Sequence, residues 1–76
     1  MSPEKLAYMA NQIGRFFAHQ PHEQAVASIE DHLLKFWDPR MRRDILAHQG
    51  EVELDRSVRE AVSRLGASPR TAKASQ

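Results

Sequence analysis

Cysteine is absent from the 76 residues of this chain, and so is any long apolar run. Without cysteine the chain forms no disulfide bond, no zinc site built on thiolates and no catalytic thiol. No stretch approaches the ~18 consecutive apolar residues that a membrane-spanning helix needs, and the amino terminus lacks a basic segment followed by an apolar one. We therefore expect a cytoplasmic protein with no membrane partner.

Strong charge of either sign is also missing. The formal net charge is +1 and 28% of the residues are charged, which is typical of an ordinary soluble domain and not of a polyelectrolyte that binds nucleic acid. A chain of 76 residues forms one domain at most and buries a small share of its surface, so its stability is marginal unless something reinforces it. Because disulfides are excluded, association with a partner is the remaining way to reinforce this fold.

Apolar residues recur at three- and four-residue spacing in most of the chain and predict an all-α fold, a small bundle of three to four helices. Caps and first-turn prolines mark the starts, and the predicted helices cover residues from about 3 to 17, 21 to 37, 39 to 48 and 55 to 65. Gly50 is placed for a left-handed cap after the third helix, and residues 51–54 are too few for a credible strand and read as a linker. We predict one helical domain at residues 1–66. Residues 67–76 contain no large apolar side chain and form a predicted flexible tail whose deletion changes little.

The apolar positions of these helices define a predicted core. In the first helix the small residues Ala10, Gly14 and Ala18 form a row at four-residue spacing, which lets another helix approach closely. We expect that neighbour to be the next helix of the same chain, and the alternative is an external partner. The predicted core residues are Leu6, Ile13, Phe17, Val26, Ile29, Leu33, Phe36, Ile45, Val58 and Val62.

The sequence KFWDPRMRR, at residues 35–43, places two adjacent aromatic residues at a predicted helix junction. Phe36 fits the apolar seam of the second helix, whereas Trp37 points about 100° away from it and is expected to face outward. Asp38 followed by Pro39 is a helix-start signal, because Asp accepts hydrogen bonds from free N–H groups and proline has no donor to lose. This junction is therefore a predicted corner between two helices.

Three arginines lie in the first turn of the helix that follows, where the helix dipole favours anions. Cations at that position indicate a carboxylate-bearing partner beside an aromatic anchor, a combination enriched at interface hot spots. The alternative is an aromatic plug in a small core with a solvated basic rim. The predicted partner-binding residues are Trp37, Pro39, Arg40, Met41, Arg42 and Arg43.

Catalytic, cofactor-binding and metal sites are not indicated. His19 and His22 flank a proline at a helix junction and need not share a face, and no carboxylate stands in a zincin-type arrangement with them. We predict that these two histidines, with His32 and His48, are surface residues and hold no metal. The serines lack a glycine elbow, and no glycine-rich phosphate loop follows a strand, so no catalytic or cofactor-binding residue is predicted.

Two stretches, YMANQIGRFF at residues 8–17 and KFWDPRMRRDIL at residues 35–46, resemble the delta subunit of the cytoplasmic, molybdenum-containing, NAD-dependent formate dehydrogenase. The similar pattern extends to LDRSVREAVSRL and covers most of the chain. The resemblance implies a small accessory subunit of an enzyme that oxidises formate to carbon dioxide with NAD as acceptor. It places the molybdenum cofactor, the iron–sulfur clusters and the flavin in larger subunits, and the lack of cysteine agrees because cluster ligation needs thiolates. It supplies no catalytic residue for this chain.

Two hypotheses about function follow. In the first, the chain is a non-catalytic accessory subunit that supports assembly or stability of the large molybdenum-containing catalytic subunit. In the second, it is a free-standing helical module that regulates or binds nucleic acid through the patch from Arg40 to Arg43. The nearly balanced net charge and the acidic residues beside these arginines count against nucleic acid.

Overall fold

The computed structural model describes residues 2–67, which form four helices and no strand. Helix α1 covers Pro3–Phe16, α2 covers His22–Phe36, α3 covers Pro39–His48 and α4 covers Arg56–Ala67. This architecture confirms the predicted all-α bundle. Within the described residues, none of the helices combines the length and the apolar character that crossing a bilayer requires. The predicted tail at residues 67–76 lies outside the described residues, apart from Ala67, the last residue of α4.

The starts of α1 and α3 agree with the sequence signals. The Ser2 hydroxyl oxygen accepts a hydrogen bond from the backbone N–H of Lys5 at 3.2 Å, and proline follows the cap. In the same way, the Asp38 carboxylate accepts from the backbone N–H of Met41 at 2.9 Å. Each cap satisfies an N–H group that has no partner inside its helix.

The predicted left-handed cap at Gly50 is wrong. No described residue, Gly50 included, has a positive φ. Helix α3 ends with Gln49 in the right-handed region, and a turn follows. The backbone N–H of Glu51 donates to the carbonyl oxygen of His48 at 2.9 Å and closes that turn. Residues 51–54 form the irregular linker that the sequence predicts.

The linker between α3 and α4 is held by side chains. The amide of Asn11, on α1, donates to the carbonyl oxygen of Glu53 at 3.0 Å. Arg59, on α4, donates to the carbonyl oxygens of Gln49 and Val52, the latter at 3.0 Å. These bonds supply partners for backbone groups that no helix satisfies.

The core lies between α2 and α4, and α1 and α3 close it. Seven of the ten predicted core residues are buried, and Ile13 and Phe17 are partly buried and pack against them. Small side chains on three helices also belong to the core, which lets the helices approach closely. The buried hydrophobic residues are Leu6, Ala7, Ala10, Ala25, Val26, Ile29, Leu33, Trp37, Ile45, Val58, Ala61, Val62 and Leu65.

The predicted roles of Phe36 and Trp37 are exchanged in the structure. Phe36 is 71% exposed, and Trp37 is 6% exposed and belongs to the core. The prediction assumed that both residues stand on one helix, about 100° apart. Instead α2 ends at Phe36, and Trp37 has extended backbone angles of φ −90° and ψ 140°. Helical periodicity no longer sets the direction of the Trp37 side chain, which turns inward.

Helix α1 lies close to α4 at Gly14. A Cβ atom at this position would overlap the Cγ2 methyl group of Val58 and would lie 3.8 Å from the Cδ1 atom of Ile29. The neighbour of the small-residue row is therefore within the chain, as predicted, but its nearest atom comes from α4 and not from α2. Ala10 is buried and Ala18 is exposed, so the contact uses only part of the row.

Candidate functional site

An apolar groove opens between α1 and α2 on the surface of the bundle. It has a volume of about 490 Å³. On α1 the lining positions recur three or four residues apart, so they share one helix face. Gln12 and His32 supply the polar side chains of the lining, and the lining contains no carboxylate. The groove is lined by Met9, Gln12, Ile13, Phe16, Phe17, His32, Phe36 and Trp37.

Aromatic rings cross the groove from one helix to the other. The Phe16 and Phe17 rings meet edge to face, with centroids 5.1 Å apart and planes at 86°. The His32 ring lies 6.4 Å from that of Phe17 and 4.7 Å from that of Phe36. These geometries are typical of attractive aromatic pairs. The outer rings of the row, Phe16 at 73% and Phe36 at 71%, are the most exposed large apolar side chains among the described residues.

The start of α3 divides the predicted partner-binding residues into two groups. Pro39, Arg40 and Arg43 are exposed, whereas Met41 is half-buried and packs against the core. Arg42 points back toward α2. Its guanidinium donates to the carbonyl oxygens of residues 34 and 37, at 3.1 Å and 2.6 Å.

Arg42 thus satisfies carbonyl groups at the end of α2, where four carbonyls lack helical partners. This contact explains one of the cations in the first turn of α3 without any external partner. Trp37 and Arg42 both hold the corner in shape, so neither is displayed on the surface in the way the sequence predicted. Which exposed residues of the corner contact a partner stays a prediction.

Positive charge predominates on the α1 side of the groove. Residues 5–22 contain no carboxylate. Lys5 stands one turn before Met9, and Arg15 directly precedes Phe16. Within residues 2–67, Lys5 and Arg15 form no ion pair, and the same holds for the exposed arginines of α3.

The α2 side of the groove is electrically balanced. Lys35, next to Phe36, forms an ion pair of 3.0 Å with Asp31, one helical turn away. The sequence predicts this pair from its four-residue spacing. Such exposed pairs contribute only a few tenths of a kcal/mol, so the pair affects the charge of the surface more than the stability of the fold.

A second polar cluster joins the start of α2 to α4. The imidazole Nε2 of His22 lies 3.1 Å from a carboxylate oxygen of Glu60. Arg64 donates to Glu23 at 3.1 Å and to Glu60 at 3.3 Å. Hydrogen bonding to His22, with the charges of His22, Arg64 and Arg56, lowers the pKa of Glu60 below its ordinary value of 4.5.

The ligand atoms of His22, Glu23 and Glu60 lie within 4.8 Å of one another, a grouping that a metal ion also uses. Here the guanidinium of Arg64 bonds both carboxylates and supplies the positive charge between them. We therefore interpret the cluster as an ion-pair network that fastens α2 to α4. Partial exposure of all these side chains limits its contribution to stability.

The groove was not predicted from the sequence. The available signal was the adjacent pair Phe16 and Phe17, since neighbouring residues on a helix cannot both face one narrow seam. That signal predicts an outward aromatic residue on α1. It says nothing about the facing residues of α2, which depend on how the two helices lie against each other.

Comparison with known proteins gives one family. The family model described as NADH-dependent formate dehydrogenase delta subunit FdsD matches residues 5–62, which is more than half of the chain. No curated protein and no solved structure matches the chain.

Proposed function

Because the chain belongs to the FdsD family of NADH-dependent formate dehydrogenase delta subunits, we propose that it is a non-catalytic accessory subunit of such an enzyme. Its partner is the large molybdenum-containing catalytic subunit, and its role is to support the assembly or the stability of that subunit in a cytoplasmic complex. The observation that carries this proposal is the family match over residues 5–62, which extends from α1 into α4.

The proposal leaves the redox groups to the larger subunits. Iron–sulfur clusters are held by cysteine thiolates, and this sequence has none. We assign the molybdenum cofactor and the flavin to the larger subunits as well. This chain then acts on formate oxidation only through the subunit that it stabilises.

The surface of the bundle supports a role in binding another protein. Two phenylalanine side chains stay exposed although burying each would be worth about 1.5–3 kcal/mol. We propose that the partner also contacts the start of α3 through Pro39, Arg40 and Arg43. The two arginines present charge-assisted donors to partner carboxylates or carbonyls.

The test is to produce the complex with and without this chain. We expect an affinity-tagged chain to bring down the large subunit in constant proportion, identified by mass spectrometry. We also expect complex made without the chain to assemble in lower yield or to lose formate-oxidising activity sooner on heating. A tagged chain that elutes alone, together with a large subunit unchanged in yield and lifetime, would overturn the proposal.

Salt distinguishes this function from nucleic-acid binding through the arginines. A complex held by phosphate contacts weakens steeply as ionic strength rises, whereas an interface with buried aromatic groups weakens much less.

Arg40→Ala and Arg43→Ala should reduce co-purification of the large subunit and leave the melting temperature of the free chain nearly unchanged. Recovery of nucleic acid with the chain at low salt, and its loss at high salt with no protein partner, would support the alternative.

A further inference from the structure

The two walls of the groove between α1 and α2 have the residue spacing that packs against another helix. Its α1 wall presents Met9, Ile13 and Phe16 at four- and three-residue spacing, and its α2 wall presents His32 and Phe36 one turn apart. Two such faces side by side accept the ridge of a third helix. Helices that bind in grooves of this kind insert apolar side chains spaced by three or four residues.

The fold does not require Phe16 and Phe36, the outer rings of the aromatic row, to be exposed. The core is closed by other residues, and both outer phenylalanines are more than two-thirds exposed. Contiguous exposed apolar surface of this kind marks interaction sites in soluble proteins. A partner that covered Phe16 and Phe36 would remove them from water without rearranging the bundle.

The charges around the groove specify the chemistry of the partner. The lining has no carboxylate, and the α1 side offers Lys5 and Arg15 without ion-pair partners within residues 2–67. Carboxylates at the edges of an incoming helix would complement these cations. A second copy of this chain would instead bring basic rims together, because a symmetric contact uses the same surface twice.

We propose that the groove binds an amphipathic helix of a larger subunit, with an apolar stripe between Phe16 and Phe36 and acidic side chains on its edge beside α1. This inference rests on the proposed function for the identity of the complex. It adds the surface that docks and the kind of segment that fits it. The start of α3 is a separate contact, which the arginine variants above test on their own.

Photo-cross-linking within the assembled complex tests the occupant directly. p-Benzoylphenylalanine is introduced in place of Phe16, or of Phe36, in the full-length chain, and cross-linked peptides are identified by mass spectrometry. The matched control carries it in place of Ala27, an exposed position about 180° around α2 from Phe36. We expect both groove positions to capture one segment of a larger subunit that has helical apolar spacing and flanking carboxylates. The control should capture a different segment or none.

Substitutions measure how much the groove contributes. Phe16→Ser or Phe36→Ser should lower the recovery of the large subunit about tenfold or more, as expected for a buried aromatic anchor. Ala27→Ser is the control, because Ala27 is exposed on α2 and does not line the groove. It should change recovery less than about twofold. Circular dichroism of the free variants verifies that each remains folded.

Neutral replacements test the charge requirement. Lys5→Gln and Arg15→Gln should weaken binding about threefold at low salt, and this loss should disappear at high salt because screening already removes the attraction. Arg56→Gln, an exposed cation on α4, should have no effect on binding.

The outcomes separate the two proposals. A wild-type chain that elutes alone overturns the proposed function and this inference with it. Co-purification without any cross-link from positions 16 and 36 leaves the proposed function standing and overturns the inference. A cross-link to a second copy of the chain, or to a segment without carboxylates, overturns the inference as well.

Discussion

Trp37 is buried because α2 ends at Phe36, the residue before it. Its backbone is extended, so its indole enters the core while the preceding Phe36 completes the last helical turn and faces the groove. Arg42 holds this arrangement by donating to two carbonyl oxygens at the end of α2. Trp37 thus fills the core, Phe36 faces outward, and Arg42 fixes the corner between α2 and α3.

Trp37→Ala should therefore destabilise the free chain much more than Phe36→Ala. Removing a buried Trp costs about 3–5 kcal/mol, which is comparable with the whole stability of a small domain. Removing an exposed Phe should cost less than about 1 kcal/mol. Urea unfolding of each variant measures the difference, and Trp37→Phe provides a milder step if the alanine variant does not fold. Equal losses for the two alanine variants would contradict the burial of Trp37.

At the scale of whole elements, α1 and α4 meet where a glycine removes a side chain. Gly14→Ala in an exposed helix would raise stability by about 1 kcal/mol through helix propensity. Here the added methyl group overlaps a methyl group of Val58, a stiff and fully buried side chain, and such overpacking costs about 1–3 kcal/mol. We expect net destabilisation in thermal or urea unfolding.

Two further variants make this prediction specific. In a Val58→Ala background the overlap is gone, so Gly14→Ala should be neutral or stabilising, a reversal that a double-mutant cycle measures. Gly50→Ala is the control, since no atom lies within 4 Å of a Cβ at that position and φ is not positive. It should leave stability unchanged or slightly higher.

The contact between α2 and α4 should weaken in acid through Glu60. Its pKa in the folded chain is lowered from 4.5, chiefly by the hydrogen bond with His22. A lowered pKa contributes stability that is complete above the unfolded value and is lost as the pH falls through the folded value. The wild type should therefore have a higher free energy of unfolding than Glu60→Gln at neutral pH, and this difference should shrink below pH 4.5.

Urea unfolding between about pH 6 and about pH 3 measures this difference. Glu51→Gln is the control, because Glu51 is exposed and forms no ion pair within residues 2–67. The difference in the free energy of unfolding between Glu51→Gln and the wild type should not shrink in the same way as the pH falls. If the Glu60→Gln difference stays constant across this range, the network does not couple the two helices in the way described.

At the scale of the whole molecule, we expect the partner to stabilise every helix of the chain. A ligand at about one hundred times its dissociation constant adds about 2.7 kcal/mol to a fold that binds it only when folded. For a domain of this size each kcal/mol raises the melting temperature by about 4–8 °C. Hydrogen exchange of the chain, free and in the complex, should show slower exchange in α4 as well as in α1 and α2. Slowing confined to groove residues would show local masking without added global stability.

The sequence predicts the helices well because their signals are local. Proline and capping residues set the starts of α1 and α3, and apolar spacing identifies most of the core. The row at Ala10 and Gly14 correctly indicates a close helix contact within the chain. Which helix makes that contact depends on long-range packing, and no local signal specifies it.

The site was predictable only in part. The exposure of Arg40 and Arg43 agrees with a surface corner, but the inward turn of Arg42 depends on carbonyl groups that appear only once α2 ends. A shift of one residue in the end of α2 also reversed the roles of Phe36 and Trp37. Helix ends are the least predictable feature of a sequence, and this corner lies on one.

The meeting of α1 and α4 at Gly14 and Val58 has a consequence for biosynthesis. The ribosome delivers α1, α2 and α3 before α4, and until α4 emerges α2 lacks the helix with which it makes most of its contacts. The nascent chain cannot close its core during most of its translation. The bundle, and with it the finished groove that would recognise a partner, is therefore complete only after α4 has left the exit tunnel.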